Sequence, residues 1–153
     1  MEGTPLVLNG LALRSVFVFD VYVAGLYLPE KNNDAEAILN VDAPRRMVMH
    51  FVRDVGRDDL NKGWLKGLKK NSPQANDALH ADFDAFCGMM RDIQDGEEMS
   101  FSYVPTKGTD ITVGGENRGV ILGKDFADAL WRCWIGPNPD PGKSFRKELL
   151  GLN

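Results

Sequence analysis

The chain has 153 residues, enough for one domain with a full core and too few for two ordinary ones. Apolar residues make up 43% and charged residues 26%, a globular balance that argues against disorder. The net charge of -4 argues against a nucleic-acid partner, which a basic face would serve.

The longest nearly uncharged run is LNGLALRSVFVFDVYVAGLYLP, residues 8–29, in which only Arg14 and Asp20 carry charge. Its Val, Leu, Phe and Tyr suit a pleated, half-buried surface. Asn9-Gly10 reads as a turn signal at its start. Alternation over residues 16–22 sends Val16, Val18, Asp20 and Tyr22 to one side and Phe17, Phe19 and Val21 to the other. Gly25 marks a bulge or bend, so the run reads as two strands or one long bent strand, central in a sheet. Asp34 caps a short helix over residues 35–40, with Ile38 and Leu39 inward, and Ala43-Pro44 stops it. Residues 45–53 alternate as a strand: Met47, Met49 and Phe51 share one face, and Arg46, Val48, His50 and Val52 the other.

Asp58 or Asp59 starts a helix to about Lys70 on the apolar spacing Leu60, Trp64, Leu65, Leu68. Gly63 and Gly67 weaken it but leave a smooth groove that lets a strand, a helix or a ligand come close. Lys62, Lys66, Lys69 and Lys70 fall mostly on its outer side as a solvated face. Ser72 as cap and Pro73 at the first position open a second helix to about Ile93, striped by Leu79, Phe83, Phe86, Met90 and Ile93. Asp95-Gly96 closes it. Then Met99, Phe101 and Tyr103 alternate in a strand, residues 110–113 form another, Gly114-Gly115 turns the chain, and residues 118–122 complete a meander. A helix follows with Phe126, Ala127, Leu130, Trp131, Trp134 and Ile135 on its apolar side, ended by Gly136-Pro137. A Pro-rich loop over residues 138–142 leads to a short terminal helix over residues 145–150. Hairpin-clustered strands with helices define an α+β domain, a mostly antiparallel sheet covered on one face.

Cys87 and Cys133 lie in helical apolar patterns, outside any CxxC motif, and read as buried small residues or, alternatively, a disulfide pair. His50 and His80 are far apart, with no acidic cluster at ligand spacing, so no metal or cofactor is implied. No apolar run is long enough to span a membrane, and no positively charged leader opens the chain.

Arg14 is the residue that most needs a reason. An arginine in an apolar strand either pairs with an acid, here Asp20 or Asp54, or reaches a cleft to meet an anion. Tyr22 and Tyr27 each place a phenol that either donates to a ligand oxygen or packs in the core. His50 is either a hydrogen-bonded structural residue or a proton relay. Arg53-Asp54 reads as a local ion pair, and Trp131 and Trp134 as core. The methionines at 47, 49, 89, 90 and 99 fill a core or line a pocket for flexible apolar ligands.

The ordered set N-G-L-A-L-R, F-x-V-Y-V-A-G-L-Y-L-P, H-F-V-R-D-V, K-G-T-x-I-x-V and G-K-D-F-A-x-A-L-W…W-I-G, spanning residues 8–150, resembles the bacterial chalcone isomerase-like proteins. The resemblance implies the chalcone isomerase fold, an open-faced β-sandwich with a large antiparallel sheet and a helical layer on one face. It implies that Arg14 sits where plant chalcone isomerases place a cleft arginine. Tyr22 stands where those enzymes carry a threonine, and residues 56–95 hold no tyrosine to match their tyrosine-asparagine pair. Related non-catalytic members bind fatty acids through an arginine.

The expected function is therefore a binding domain with an apolar cleft for a fatty-acid-like or other amphipathic molecule, Arg14 meeting its anionic head group and Tyr22, Tyr27 and His50 as further ligand-binding candidates. The alternative is an isomerase or lyase acting on a chalcone-like or other phenolic or enone substrate, with Arg14 stabilising an oxyanion and Tyr22 or His50 relaying a proton. A third reading is a partner-binding domain with a closed core. The related bacterial proteins often carry a secretion leader, which implies a periplasmic location, with the cytoplasm as the alternative.

Overall fold

The computed structural model describes residues 3–152; Met1, Glu2 and Asn153, including the start of the chain searched for a leader, lie outside the described residues. The elements follow the order β1 (Val7–Val16), β2 (Phe19–Leu28), α1 (Ala35–Asn40), β3 (Arg45–Phe51), α2 (Arg57–Asn71), α3 (Asp77–Gly88), β4 (Glu98–Val104), β5 (Gly108–Val113), β6 (Glu116–Ile121), α4 (Lys124–Ile135) and α5 (Lys143–Leu149). The six strands form one antiparallel sheet in sequence order, β1-β2-β3-β4-β5-β6. Ala24, Leu26, Met47, Met49, Phe101, Tyr103, Ile111 and Val113 bury one face of this sheet beneath the helices. Arg46, His50 and Asp110 project from the other face, which stays open. That is the α+β, open-faced arrangement the sequence pattern predicts.

The first strands differ from the reading in three ways. The break in residues 8–29 falls at Phe17-Val18, a two-residue turn, and the hairpin pairs Val16 with Phe19. Gly25 is an ordinary ladder residue opposite Leu11, covered by the side chains of Leu8, Leu11 and Tyr27. Because β1 is an edge strand, the hairpin flanks the sheet and does not run through its centre. Apolar alternation continues through the turn because both of its residues are apolar, where hairpin turns normally carry Gly, Asn or Asp.

Asn9-Gly10 does not turn the chain. The ladder shifts register between Leu8 and Gly10, leaving Asn9 as a bulge. The Asn9 amide donates to Leu149 O and accepts from Asn32 N–H. A Cβ on Gly10 would collide with the backbone carbonyls of Glu148 and Leu149. The pair is therefore the seat on which α5 docks.

The stripe Leu79, Phe83, Phe86, Met90, Ile93 reaches the core, but one helix does not carry it. Ser72 closes α2 by donating its N–H to Leu68 O, and Asn76 caps α3 by accepting from Leu79 N–H. The asparagine satisfies a first-turn amide better than the expected Ser72-Pro73 start could at that spacing. Helix α3 ends at Gly88, and Ile93 is held by a bridge to Val55.

Helix α4 lies at the centre of the helical layer, buried on almost every side. Helix α2 crosses it so closely that a Cβ on Gly67 would stand 2.6 Å from Cys133 Sγ. At the far end of the layer, Arg45 is buried and pairs with Asp128 of α4 at 2.6 Å, its guanidinium over the Tyr103 and Trp131 rings. Lys124 also reaches Asp128 at 2.6 Å. Burial of this arginine escapes a hydropathy pattern, because its partner lies 83 residues away. Both cysteines are free thiols, so the alternative of a disulfide pair does not hold.

The α2–α4 contact gives a direct test. Gly67→Ala gains helix propensity of about 1 kcal/mol, but overpacking against Cys133 costs about 1–3 kcal/mol. Thermal unfolding is expected to show a lower Tm for Gly67→Ala and partial recovery in the Gly67→Ala/Cys133→Ala double variant. A Gly67→Ala protein at least as stable as the parent would contradict the close approach.

Candidate functional site

A cleft of about 170 Å³ opens between the β1–β2 hairpin, α2 and the C-terminal end of α4. Its walls include Val16, Val21, Met49, Phe51, Leu60, Trp64 and Trp134, and its polar groups are Arg14, Tyr22, Asp59 and Asp140. A mostly apolar concavity with a few placed polar groups is the ordinary form of a small-molecule site.

Register brings Arg14 and Tyr22 together: they are direct partners across β1 and β2. A second register shift between Arg14 and Ser15 inserts Val21 as an extra residue on β2. The bulge lets both Val21 and Tyr22 line the cleft, while Asp20 pairs with Ser15 through a 2.8 Å hydrogen bond. The strict alternation that placed Asp20 and Tyr22 on one face therefore ends at Val21.

Arg14 pairs with neither acid that its sequence neighbourhood offered. Asp54 accepts from Asp95 N–H instead, and Arg14 Nη2 stands 3.5 Å from Asp140 on the Pro-rich loop. Lys66 of α2 approaches the other oxygen of Asp140 at 3.2 Å. Asp140 thus lies between two cations at the cleft mouth. Both Arg14 and Asp140 keep about a fifth of their side-chain surface in solvent, so the pair is worth little to stability.

Tyr22 is buried, with its ring against Phe51 and Phe145. Burial holds its phenol well above the ordinary tyrosine range; a hydrogen bond from Trp134 and the charge of Arg14 oppose that shift only in part. In its protonated form, the Tyr22 hydroxyl can donate to a ligand acceptor. Cys133, also in the lining, has its thiol pushed up to about 12, mainly by burial and then by the negative charge of Asp140. It is a packed neutral thiol, unsuited to nucleophilic attack.

The other two candidates lie elsewhere. Tyr27 borders a separate depression with Leu6, Arg46, Val48 and Glu98 on the open face. His50 projects from that same face, half exposed, and meets Glu98 at 3.2 Å. The sheet stands between them and Arg14. Arg53 forms no ion pair with its neighbour Asp54 but stacks over the Phe19 ring at 4.1 Å.

Asp140, Asp59, Trp64 and Trp134 line the cleft although no sequence pattern marks them as binding residues. Helical spacing places each tryptophan in the core, and each is buried while also lining the cleft. The signal for Asp140 was its placement between Pro139 and Pro141, which stiffens a loop around one acid. Gly63 and Gly67 divide the groove predicted for them: Gly67 admits α4 and Gly63 lines the cleft.

The model of the chalcone isomerase-like family matches residues 1–151, and the chain belongs to that family. No curated protein matches the chain. Among solved structures, a fatty-acid binding protein of Arabidopsis thaliana superposes with a TM-score of 0.73 at 17% identity, over 97% of this chain and 88% of that one. At that identity the likeness is one of fold.

The raised pKa of Tyr22 has a consequence for stability. Its phenol binds a proton more tightly in the folded state, so this contribution is complete below the unfolded value of about 10 and is lost as pH rises beyond it. Denaturant unfolding across the alkaline range should show wild-type stability falling more steeply than that of Tyr22→Phe. Parallel profiles for the two proteins would show that Tyr22 is not the buried phenol described.

Proposed function

We propose that this protein is a non-catalytic carrier or sensor of a fatty-acid-like carboxylate, held with its head group at Arg14 and Tyr22 and its chain in the apolar cleft. The observation that carries this reading is the Arg14–Tyr22 pair itself. A cation and a neutral hydroxyl donor stand side by side in a mostly aromatic and aliphatic cleft whose other polar groups are Asp59 and Asp140. One carboxylate can accept from both. The Arabidopsis thaliana neighbour is a fatty-acid binding protein, which favours the same ligand class.

The isomerase alternative has less support. The histidine considered as proton relay is across the sheet from Arg14. Tyr22 is held in its protonated form, so it is a donor and a poor base.

Asp140 occupies the place a ligand carboxylate would take beside Arg14, with Lys66 as its second partner. Binding then exchanges one carboxylate for another at Arg14 and leaves Asp140 with Lys66. The volume of about 170 Å³ is below the roughly 300–1,000 Å³ of common ligand pockets. It suits a short or medium acyl chain, and a longer chain must displace a wall.

Calorimetric titration with a series of straight-chain carboxylates tests the reading. Affinity should rise about fourfold per methylene, from about 0.8 kcal/mol each, until the cleft is full, and then level off. Arg14→Gln should weaken binding by about 10–100-fold, the loss of a charge-assisted hydrogen bond, while leaving a methyl ester of the same chain unaffected. Absence of saturable carboxylate binding, or equal loss for acid and ester, would count against it. Asp140→Asn removes the internal competitor and should tighten carboxylate binding several-fold; weaker binding would make Asp140 a positive contributor instead.

A further inference from the structure

The β1–β2 turn breaks two rules of local structure at once. Phe17 takes a φ of 58°, and Val18 does not share the left-handed conformation. Positive φ at the first central residue alone is the pattern of a II′ turn, where glycine is favoured and a bulky side chain is strained. The same residues are the most exposed large apolar groups described: Phe17 is 96% and Val18 87% accessible. Val16 and Phe19 at the base of the turn are also exposed. Folding gains nothing from either the strain or the exposure, and such an outlier points to function.

The tip is continuous with the ligand cleft. Val16 is both part of the exposed tip and part of the cleft lining, two residues from Arg14 on the same strand. The flanking cation Arg53 lies over the Phe19 ring at 4.1 Å, where it can meet lipid phosphates once the tip is inserted.

We propose that the β1–β2 hairpin tip, Phe17 and Val18 with Val16 and Phe19 beneath them, inserts into a lipid surface and sets the mouth of the Arg14 cleft against it. The inference extends the reading of the cleft as a carboxylate site, because amphipathic acids partition into bilayers and would enter from there. Geometry favours lipid over a protein partner. A stable protein interface buries at least about 1,000 Å² of matched surface, which a two-residue convex tip does not present. A bilayer interface requires no matching shape, and it takes an aromatic and a branched aliphatic side chain readily. With a net charge of -4 on the whole chain, attachment depends mainly on apolar insertion and is shallow and reversible.

The test compares wild type with Phe17→Gly/Val18→Ser, whose Gly-Ser pair suits the turn and keeps the fold. Flotation with vesicles of equal parts phosphatidylcholine and phosphatidylglycerol should recover wild type in the lipid fraction, and the variant at least about tenfold less. Raising the salt concentration should not release wild type from the lipid fraction, because insertion is apolar and the net charge of -4 is repelled by the anionic lipid. Failure of wild type to float, or equal flotation of the variant, overturns the proposal. Sedimentation of wild type as a dimer that the variant abolishes, without vesicle binding, overturns it in favour of a second copy of the chain on the tip. Titration of both proteins with octanoate in the absence of vesicles separates the two readings: equal octanoate affinity with unequal flotation supports both. Flotation that the variant loses, with no octanoate binding by either protein, supports the lipid docking and removes the carboxylate site.

Discussion

The site depends on how closely α2 and α4 approach one another. With no side chain at Gly67, the two helices meet against Cys133, and Trp64, one turn away on α2, is brought against Trp134, the neighbour of Cys133 on α4. Trp64 of α2 packs edge-on to Trp134 of α4 at 5.6 Å and to Phe86 and Phe101 at 5.1 and 5.8 Å. Edge-to-face aromatic contacts of this kind fix orientation as well as bury area. At Gly63, one turn nearer the start of α2, a Cβ would meet nothing within 4 Å, and there the cleft opens. Core packing at Gly67 and the cleft at Gly63 thus lie one turn apart on α2.

The sheet supplies the polar half. Two bulges on the edge hairpin do different jobs. The bulge at Asn9 fits the end of α5 onto β1 and so anchors the loop that precedes that helix. The bulge at Val21 brings that residue into the cleft beside Tyr22, which follows Ala24 and Leu26 on the helix-covered face. Asp140 is carried on the loop between α4 and α5, so its approach to Arg14 depends on both anchors. In this arrangement the cation is neither free nor deeply paired: its carboxylate partner keeps about a fifth of its side-chain surface in solvent. A buried pair such as Arg45–Asp128, at 2.6 Å and nearly free of solvent, is the contrasting case, where separation would cost several kcal/mol and the role is structural.

Much of the architecture could be read from the sequence because it is local. Period-2 alternation located β3 and the β4–β5–β6 meander, helical spacing located α2 and α4, and the ordered motifs carried the family. The errors came where a local signal had two physical meanings. Asn9-Gly10 has the composition of a turn, but the lack of a Cβ serves a helix docking from 140 residues away. Ser72-Pro73 has the composition of a helix start, but Asn76 offers a cap at the right distance from Leu79. Phe17-Val18 has the composition of a strand, because the residues that make the turn there are not turn formers.

The sequence by itself determined which strands and helices form, that one face of the sheet is apolar, and that Arg14 is an anomaly in an apolar strand; each follows from neighbours a few residues apart. The tertiary structure decided which groups share the site. It placed Asp140 at Arg14 in preference to Asp20 or Asp54, put Tyr22 inside the cleft, and left His50 and Tyr27 across the sheet. The partner of Arg14 comes from a loop more than a hundred residues from the strand it meets, and the place of Val21 in the cleft depends on a one-residue bulge. A single inserted residue exchanges the faces of a strand, and no periodicity within the strand records where the insertion falls.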